Sequence, residues 1–232
     1  MNDDSTSATH PIDLVAEPRL HLRAPQSRET GRISIGAPAV RRLSAAEASA
    51  VGGEWGAFVA AEAPHSDFHL LSLACTFRPP ANGAPLVEAA FGLRLASPGE
   101  PPERQPIAWS LSPKARTRPV ERRTAVSFTA QLALVEAGVE VGPGSAGEDL
   151  FVTGMGERDG DPEWRFRAVP DHPLIGDETL TTVVRAAAGA PVLAHLVAAA
   201  TLRHRRFGLI PYRAALPPTL RTIEVAPHGT TP

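Results

Sequence analysis

The clearest pattern of apolar and polar positions in the chain runs from Thr124 to Leu134. Apolar side chains occupy one parity of this segment, and Ser127, Thr129 and Gln131 occupy the other. This two-residue period predicts a β-strand with one buried face. Its apolar positions are Val126, Phe128, Ala130, Leu132 and Leu134.

Similar alternation, or short apolar runs between turn residues, recurs along the rest of the chain. The segment 192–207 fits both a helix and a strand, and its neighbours favour a strand. Since 24 prolines in 232 residues separate the apolar runs, we predict a mainly β fold: an antiparallel β-sandwich, with an immunoglobulin-like arrangement as one option. Further strands are predicted at 68–77, 87–95, 107–111, 150–155, 163–168 and 180–184.

The N-terminal region lacks a sustained period. Residues 1–42 predict a flexible, extended arm, although short alternating stretches such as Arg32–Ile35 leave open a strand that pairs with a sheet edge. A capping box of Ser44 and Glu47 predicts an N-terminal helix over about 45–62. The predicted domains are the arm at 1–42, the helix at 43–63, the β-sandwich at 64–217 and a C-terminal tail at 218–232.

Composition narrows the range of functions. The formal net charge is −2, so nucleic-acid binding would need a local basic patch, and we do not expect it. The single cysteine, Cys75, excludes an internal disulfide, and no apolar run reaches the length of a membrane helix. The N-terminus also lacks the pattern of a secretory signal. We therefore expect a cytoplasmic protein.

Three motif-like patterns are better explained by structural roles than by a catalytic or ligand-binding site. Gly142–Gly147 matches G-x-G-x-x-G, but a predicted strand follows where a helix would be needed, which predicts a hairpin loop. His65, Asp67 and His69 share a parity, yet their spacing along a strand is too wide for one metal ion. The acidic run Asp159–Glu163 is typical of a hairpin tip. We predict no catalytic, cofactor-binding or metal-ligating residue.

Two basic groups form the candidate contact surface. One lies within Lys114–Arg123 and the other within Arg203–Arg206, and both could meet phosphate or an acidic partner. Lys114 is the single lysine, so arginine bias accounts for part of this pattern. The candidate residues are Arg116, Arg118, Arg122, Arg123, Arg203, Arg205 and Arg206.

These observations predict a non-catalytic binding or scaffold module that acts within a larger protein assembly, with another protein as its partner and without a cofactor. One alternative is a membrane-active β protein, because the alternating segments 124–134 and 192–206 are both flanked by arginines. Another is a hydrolase or metal-dependent enzyme centred on His65, Asp67 and His69. The sequence leaves the ligand, the partner, the pathway and the oligomeric state open.

Overall fold

The computed structural model describes residues 9–17, 28–44, 46–47, 53–78, 83–121, 146–205 and 208–227. Within these residues the chain forms one antiparallel sheet of 13 strands with two α-helices. The elements are β1 (Thr9–Ala16), β2 (Arg28–Gly36), β3 (Ala39–Leu43), α1 (Gly53–Glu62), β4 (Ser66–Phe77), β5 (Leu86–Ala96), β6 (Ile107–Ser112), β7 (Ala115–Glu121), β8 (Ala146–Met155), β9 (Glu163–Arg167), β10 (Gly176–Ala187), β11 (Val192–His204), β12 (Gly208–Ala215), α2 (Pro218–Arg221) and β13 (Thr222–Ala226).

The sheet curls until its two ends approach each other. Its strand order is β6-β10-β4-β2-β1-β12-β11-β5-β9-β8-β7, with β3 beside β4 and β13 beside β11. The end strands β6 and β7 are consecutive in the chain. Two backbone hydrogen bonds join β6 to the β8–β9 turn: Arg158 N–H donates to Ala108 O (2.7 Å), and Ala108 N–H donates to Asp159 O (2.8 Å). We call this junction the seam, and it leaves the sheet nearly closed as a barrel.

The prediction of a mainly β fold is confirmed, whereas the predicted sandwich is wrong because the strands belong to one nearly closed sheet. Alternation within a strand shows only that one of its faces is buried. The inner face of a barrel and the inner face of a sandwich both produce that alternation. The period therefore could not separate the two architectures.

The segment predicted as a flexible arm contributes strands of the sheet instead. β1 pairs with β2 and β12, and β2 pairs with β4. These strands bury four apolar side chains that are at most 1% exposed. They are Ile12, Leu14, Ile33 and Ile35. The alternating stretch at 32–35, which had left a strand open, therefore lies in a strand of the sheet.

The N-terminal helix predicted for about 45–62 is not found as such. α1 occupies Gly53–Glu62 and lies between β3 and β4, after three strands of the sheet. The capping-box contacts are nonetheless present: Ser44 N–H donates to Glu47 Oε2 (2.8 Å), and Glu47 N–H donates to Ser44 Oγ (3.1 Å). Residues 48–52 lie outside the described part of the chain.

Two other sequence predictions have clear outcomes. The ambiguous segment 192–207 contains strand β11, which pairs with β5 on one edge and with β12 and β13 on the other. The predicted hairpin on either side of the acidic run is present, because β8 and β9 pair antiparallel. The segment at Thr124–Leu134, the strongest strand pattern in the sequence, lies outside the described residues.

Aromatic side chains fill the interior of the barrel around Phe166. Its ring centroid lies 5.0 Å from that of Phe77, 6.0 Å from that of Phe91 and 6.4 Å from that of Phe151, each in an edge-on arrangement. Such geometry places ring edges against ring faces and adds to the gain from burial. The interior of the barrel is therefore a packed core.

The buried imidazole of His69 makes the stability of the fold depend on pH. His69 is 6% exposed, and among the described residues its Nε2 has no hydrogen-bond partner. Burial lowers its pKa, Asp67 opposes that shift, and Arg42 adds to it. Because the unfolded chain then binds protons at a higher pH than the folded chain, stability falls as the pH drops below about 6.5.

We predict that the free energy of unfolding, measured with urea, decreases from about pH 7.5 to about pH 5.5 by less in His69→Leu than in the unmodified protein. His65→Gln is the matched control, since His65 is exposed, and it should keep the original pH dependence. An identical pH dependence in the His69 variant would contradict the prediction.

Cys75 provides a second test of the core. Its side chain is 2% exposed, and burial raises the pKa of the thiol to about 12. The thiolate is the reactive form, so we predict no labelling by a chromogenic disulfide reagent at about pH 8 until urea unfolds the chain. Rapid labelling of the native protein would show that β4 opens.

Candidate functional site

The β7–β8 hairpin lies at the end of the strand order and is only partly paired to the rest of the sheet. β7 pairs with β8 from Ala115 opposite Thr153 to Glu121 opposite Ala146. β8 in turn pairs with β9 only over Val152–Met155. Among the described residues, the part of β8 that precedes Val152 is therefore paired only with β7. Residues 122–145, which join its two strands, lie outside the described residues.

The base of this hairpin is fixed to the barrel. Gly154 N–H donates to Lys114 O (2.7 Å), and a Cβ atom at Gly154 would lie only 2.7 Å from Pro113 O. Glycine is required at this crossing because no side chain fits there. Phe151 and Val152 are buried in the main core. The hairpin therefore leaves the barrel from a rigid point.

The structure gives the basic residues of β7 partners within the chain. Arg116 pairs with Glu178 of β10, whose side chain is only 10% exposed. The guanidinium of Arg118 lies 4.9 Å from the ring centroid of Phe151, within the range of a cation–π contact. Arg122 and Arg123 lie outside the described residues. The described arginines of this group thus contribute to holding the hairpin.

The second basic group lies at the end of β11. Arg203 and Arg205 are exposed, and Arg206 lies outside the described residues. Arg203 lines a groove of about 960 Å³ between β8 and the β11–β12 pair, and Arg116 and Arg118 do not line it. The described arginines of the two basic groups therefore do not form one patch around this groove.

The lining of this groove carries both signs of charge. Within this lining, Arg165 pairs with Glu163 at 2.5 Å. A phosphate-binding surface would need an excess of positive charge. The charged lining residues are Glu17, Glu88, Asp149, Glu163, Arg165, Arg167 and Arg203. The described lining of the groove therefore does not favour phosphate binding.

The histidine and carboxylate candidates have other roles. Asp67 pairs with Arg42 and accepts a hydrogen bond from Gly189 N–H (2.9 Å), whereas His65 is exposed and His69 is buried. Within the described ranges, no group of three or more His, Cys, Asp or Glu side chains is placed to hold a metal ion. The structure thus does not assemble the metal site considered for an enzyme.

The acidic turn and the glycine motif also have structural roles. Asp159 Oδ1 accepts from Gly160 N–H (2.6 Å), and Asp161 pairs with Arg94 (3.1 Å). Gly147 lies in β8 and not in a hairpin loop, which corrects the interpretation of Gly142–Gly147 at that residue. The rest of the motif up to Ser145 is outside the described residues.

Sequence reasoning missed a pocket of about 480 Å³ at the seam. It lies where α1 and β3 meet β6 and the β8–β9 turn, and Trp55, Trp109 and Arg158 line it. The sequence shows only two tryptophans in separate predicted elements and a cation within an acidic turn, and the structure shows that both tryptophans are half-buried. Because closure of the sheet brings these residues together, no local pattern could have found them.

No α-helix formed by the described residues is both long enough and apolar enough to cross a membrane.

Comparison with known proteins identifies no family. No family model matches the chain, and no curated protein matches it. Among solved structures, the chain is similar to the Clostridium perfringens NetB toxin in its membrane-inserted form, with 7% sequence identity and a TM-score of 0.29, over 90% of this chain and 92% of that chain. A likeness of this degree establishes neither a shared fold nor a shared function.

We predict that Arg116→Gln lowers the free energy of unfolding by about 1–3 kcal/mol, because it leaves the largely buried Glu178 carboxylate without its cation. Arg118→Gln is the matched comparison on the same strand and should cost less, since Arg118 is exposed and its contact is a cation–π contact with the ring of Phe151. Urea denaturation at neutral pH measures both values. Equal losses would show that the ion pair does not anchor the hairpin.

Proposed function

We propose that the protein is membrane-active and that the β7–β8 hairpin, together with the segment joining its strands, inserts into the bilayer. The observation that supports this is the register of the described ladder, which ends with Glu121 opposite Ala146. If this register continued, one residue on each strand at a time, it would end in a two-residue turn at Ala133–Leu134. The apolar residues that it would align are Val126 with Val141, Phe128 with Val139, Ala130 with Ala137, and Leu132 with Val135.

The same register would align polar residues and glycine on the alternate positions. Residues directly opposite each other in an antiparallel pair project from the same face. A hairpin in this register would therefore have one fully apolar face and one largely polar face, as strands of a transmembrane barrel do. The polar-face pairs are Ser127 with Glu140, Thr129 with Gly138, and Gln131 with Glu136.

The length and the flanking charges of the segment also fit insertion. A tilted strand needs about 9–11 residues to span the hydrocarbon core, which matches the nine residues from Thr124 to Leu132 that precede the two-residue turn. Arg122 and Arg123 come immediately before these nine residues. Long cationic side chains at that position can reach the lipid headgroups while the following residues lie in the hydrocarbon.

Insertion by this route requires several copies of the chain. A single two-stranded hairpin in lipid would leave the backbone groups along both of its edges without partners. The smallest transmembrane barrels have about eight strands, so about four or more copies would each contribute a hairpin. We therefore propose a homo-oligomer in the membrane.

We predict that the protein releases a trapped dye from vesicles made of equal parts phosphatidylcholine and phosphatidylglycerol. Phe128→Arg should reduce the initial rate of release by about 30-fold or more, because arginine on a lipid-facing position costs about 2–4 kcal/mol. Thr129→Arg is the matched control, because it places the same charge on the neighbouring position of the polar face. It should change the rate by about twofold at most.

Equal effects of the two arginine variants would contradict the proposed face. An absence of release from both anionic and neutral vesicles would overturn the proposed function. Near-ultraviolet circular dichroism of each variant in solution checks that the barrel itself is unchanged.

The binding or scaffold module predicted from the sequence is the second candidate function, and the pocket at the seam supports it. Its test needs point variants. Deletion of residues 1–42 would remove β1, β2 and most of β3 from the sheet, so lost binding in that variant would report only lost folding.

A further inference from the structure

The pocket at the seam has walls from five parts of the fold. Trp55 comes from α1, Leu43 from β3, Trp109 from β6 and Val183 from β10, and the β8–β9 turn supplies Arg158. Its volume of about 480 Å³ is within the range of small-molecule sites, which are typically lined by apolar and aromatic groups with a few polar groups. Both tryptophans are only partly buried. The pocket therefore offers apolar surface to a ligand.

Trp109 is the fixed centre of this pocket. The ring of Phe58 stacks on it at 4.1 Å between centroids and 9° between planes, and the guanidinium carbon of Arg158 lies 3.4 Å from the indole centroid. The two groups must cover opposite faces, because both cannot occupy one face at these distances. Trp55 completes the wall, with its ring centroid 6.3 Å from that of Trp109.

The backbone at Arg158 is held in a conformation that favours glycine. Its φ is 70°, in the left-handed region that residues with a Cβ atom rarely adopt. The two hydrogen bonds of the seam, to and from Ala108, hold it there. A strained position is retained where the surroundings fix it, and such positions cluster at binding sites. The strained backbone conformation here places the guanidinium of Arg158 on the face of Trp109.

Among the described charged residues that line the pocket, Arg158 is the one without an ion-pair partner. The two acidic lining residues already have cations, since Glu47 pairs with Arg41 and Glu157 pairs with Lys114 at 2.8 Å. Among the described residues, Arg158 has no carboxylate partner. A guanidinium lying on an indole keeps its N–H groups at the edge of its plane, where they can donate to an anion in pairs.

We propose that this pocket binds a small planar organic anion, of the class of aryl sulfonates, carboxylates and phosphates. Its ring would lie against Trp55, Leu43 and Val183, and its anionic group would accept hydrogen bonds from Arg158. The inference concerns the outside of the barrel and does not depend on membrane insertion.

The test uses 2-naphthalenesulfonate as the probe and titration calorimetry as the measurement. Arg158→Gly removes the guanidinium and keeps a backbone that glycine adopts without strain, so it should weaken binding by about tenfold or more while the fold is retained. Arg158→Lys should weaken it less, because the charge remains. Arg94→Gln, which alters an exposed arginine outside the lining of the pocket, should leave the affinity unchanged.

The neutral analogue 2-naphthalenemethanol separates recognition of the anion from adsorption of the ring. It should bind more weakly than the sulfonate, and Arg158→Gly should not change its affinity. Unchanged sulfonate binding in Arg158→Gly, equal affinity for the two probes, or no binding of the sulfonate would each overturn the proposal. Quenching of Trp55 and Trp109 fluorescence in a Trp164→Phe variant gives a second readout, since Trp164 is fully buried in the main core.

Discussion

This fold depends on one requirement: the backbone N–H and C=O groups of a long sheet must find hydrogen-bond partners. An open sheet of this size would leave two edge strands exposed. The chain meets the requirement by curling until β6 reaches the β8–β9 turn, where Ala108 both accepts a hydrogen bond from Arg158 and donates one to Asp159. Closure at this seam sets the positions of the pocket, the turn and the base of the hairpin.

The outer half of the β7–β8 hairpin does not take part in closing the barrel. The base of the hairpin is fixed by Gly154 and by the pair of Arg116 with Glu178, whereas its outer half is paired only within itself among the described residues. An edge of this kind is a hazard in a monomer, because it can pair with another chain. The proposed insertion uses that property, since each hairpin in a membrane barrel needs a neighbour on both edges.

The pocket and the hairpin share one short connection. Trp109 lies on β6, which leads through Pro113 into β7, and Lys114 at that junction pairs with Glu157 in the lining of the pocket. The aromatic contacts of Trp109 hold α1 against the outside of the barrel, while the interior core is built around Phe166. The pocket on the outer face and the base of the hairpin are thus joined through the β6–β7 connection.

The sequence by itself determined the strands, because burial of one face imposes a two-residue period that is visible in β5, β9 and β11. The same period extends through the segment 124–134, which lies outside the described residues, so the strand there remains a prediction. Only the tertiary structure decided that the sheet closes, that 28–43 joins it, and that Trp55, Trp109 and Arg158 meet. These depend on pairing between residues far apart in the chain, and local periodicity carries no information about which strand lies beside which.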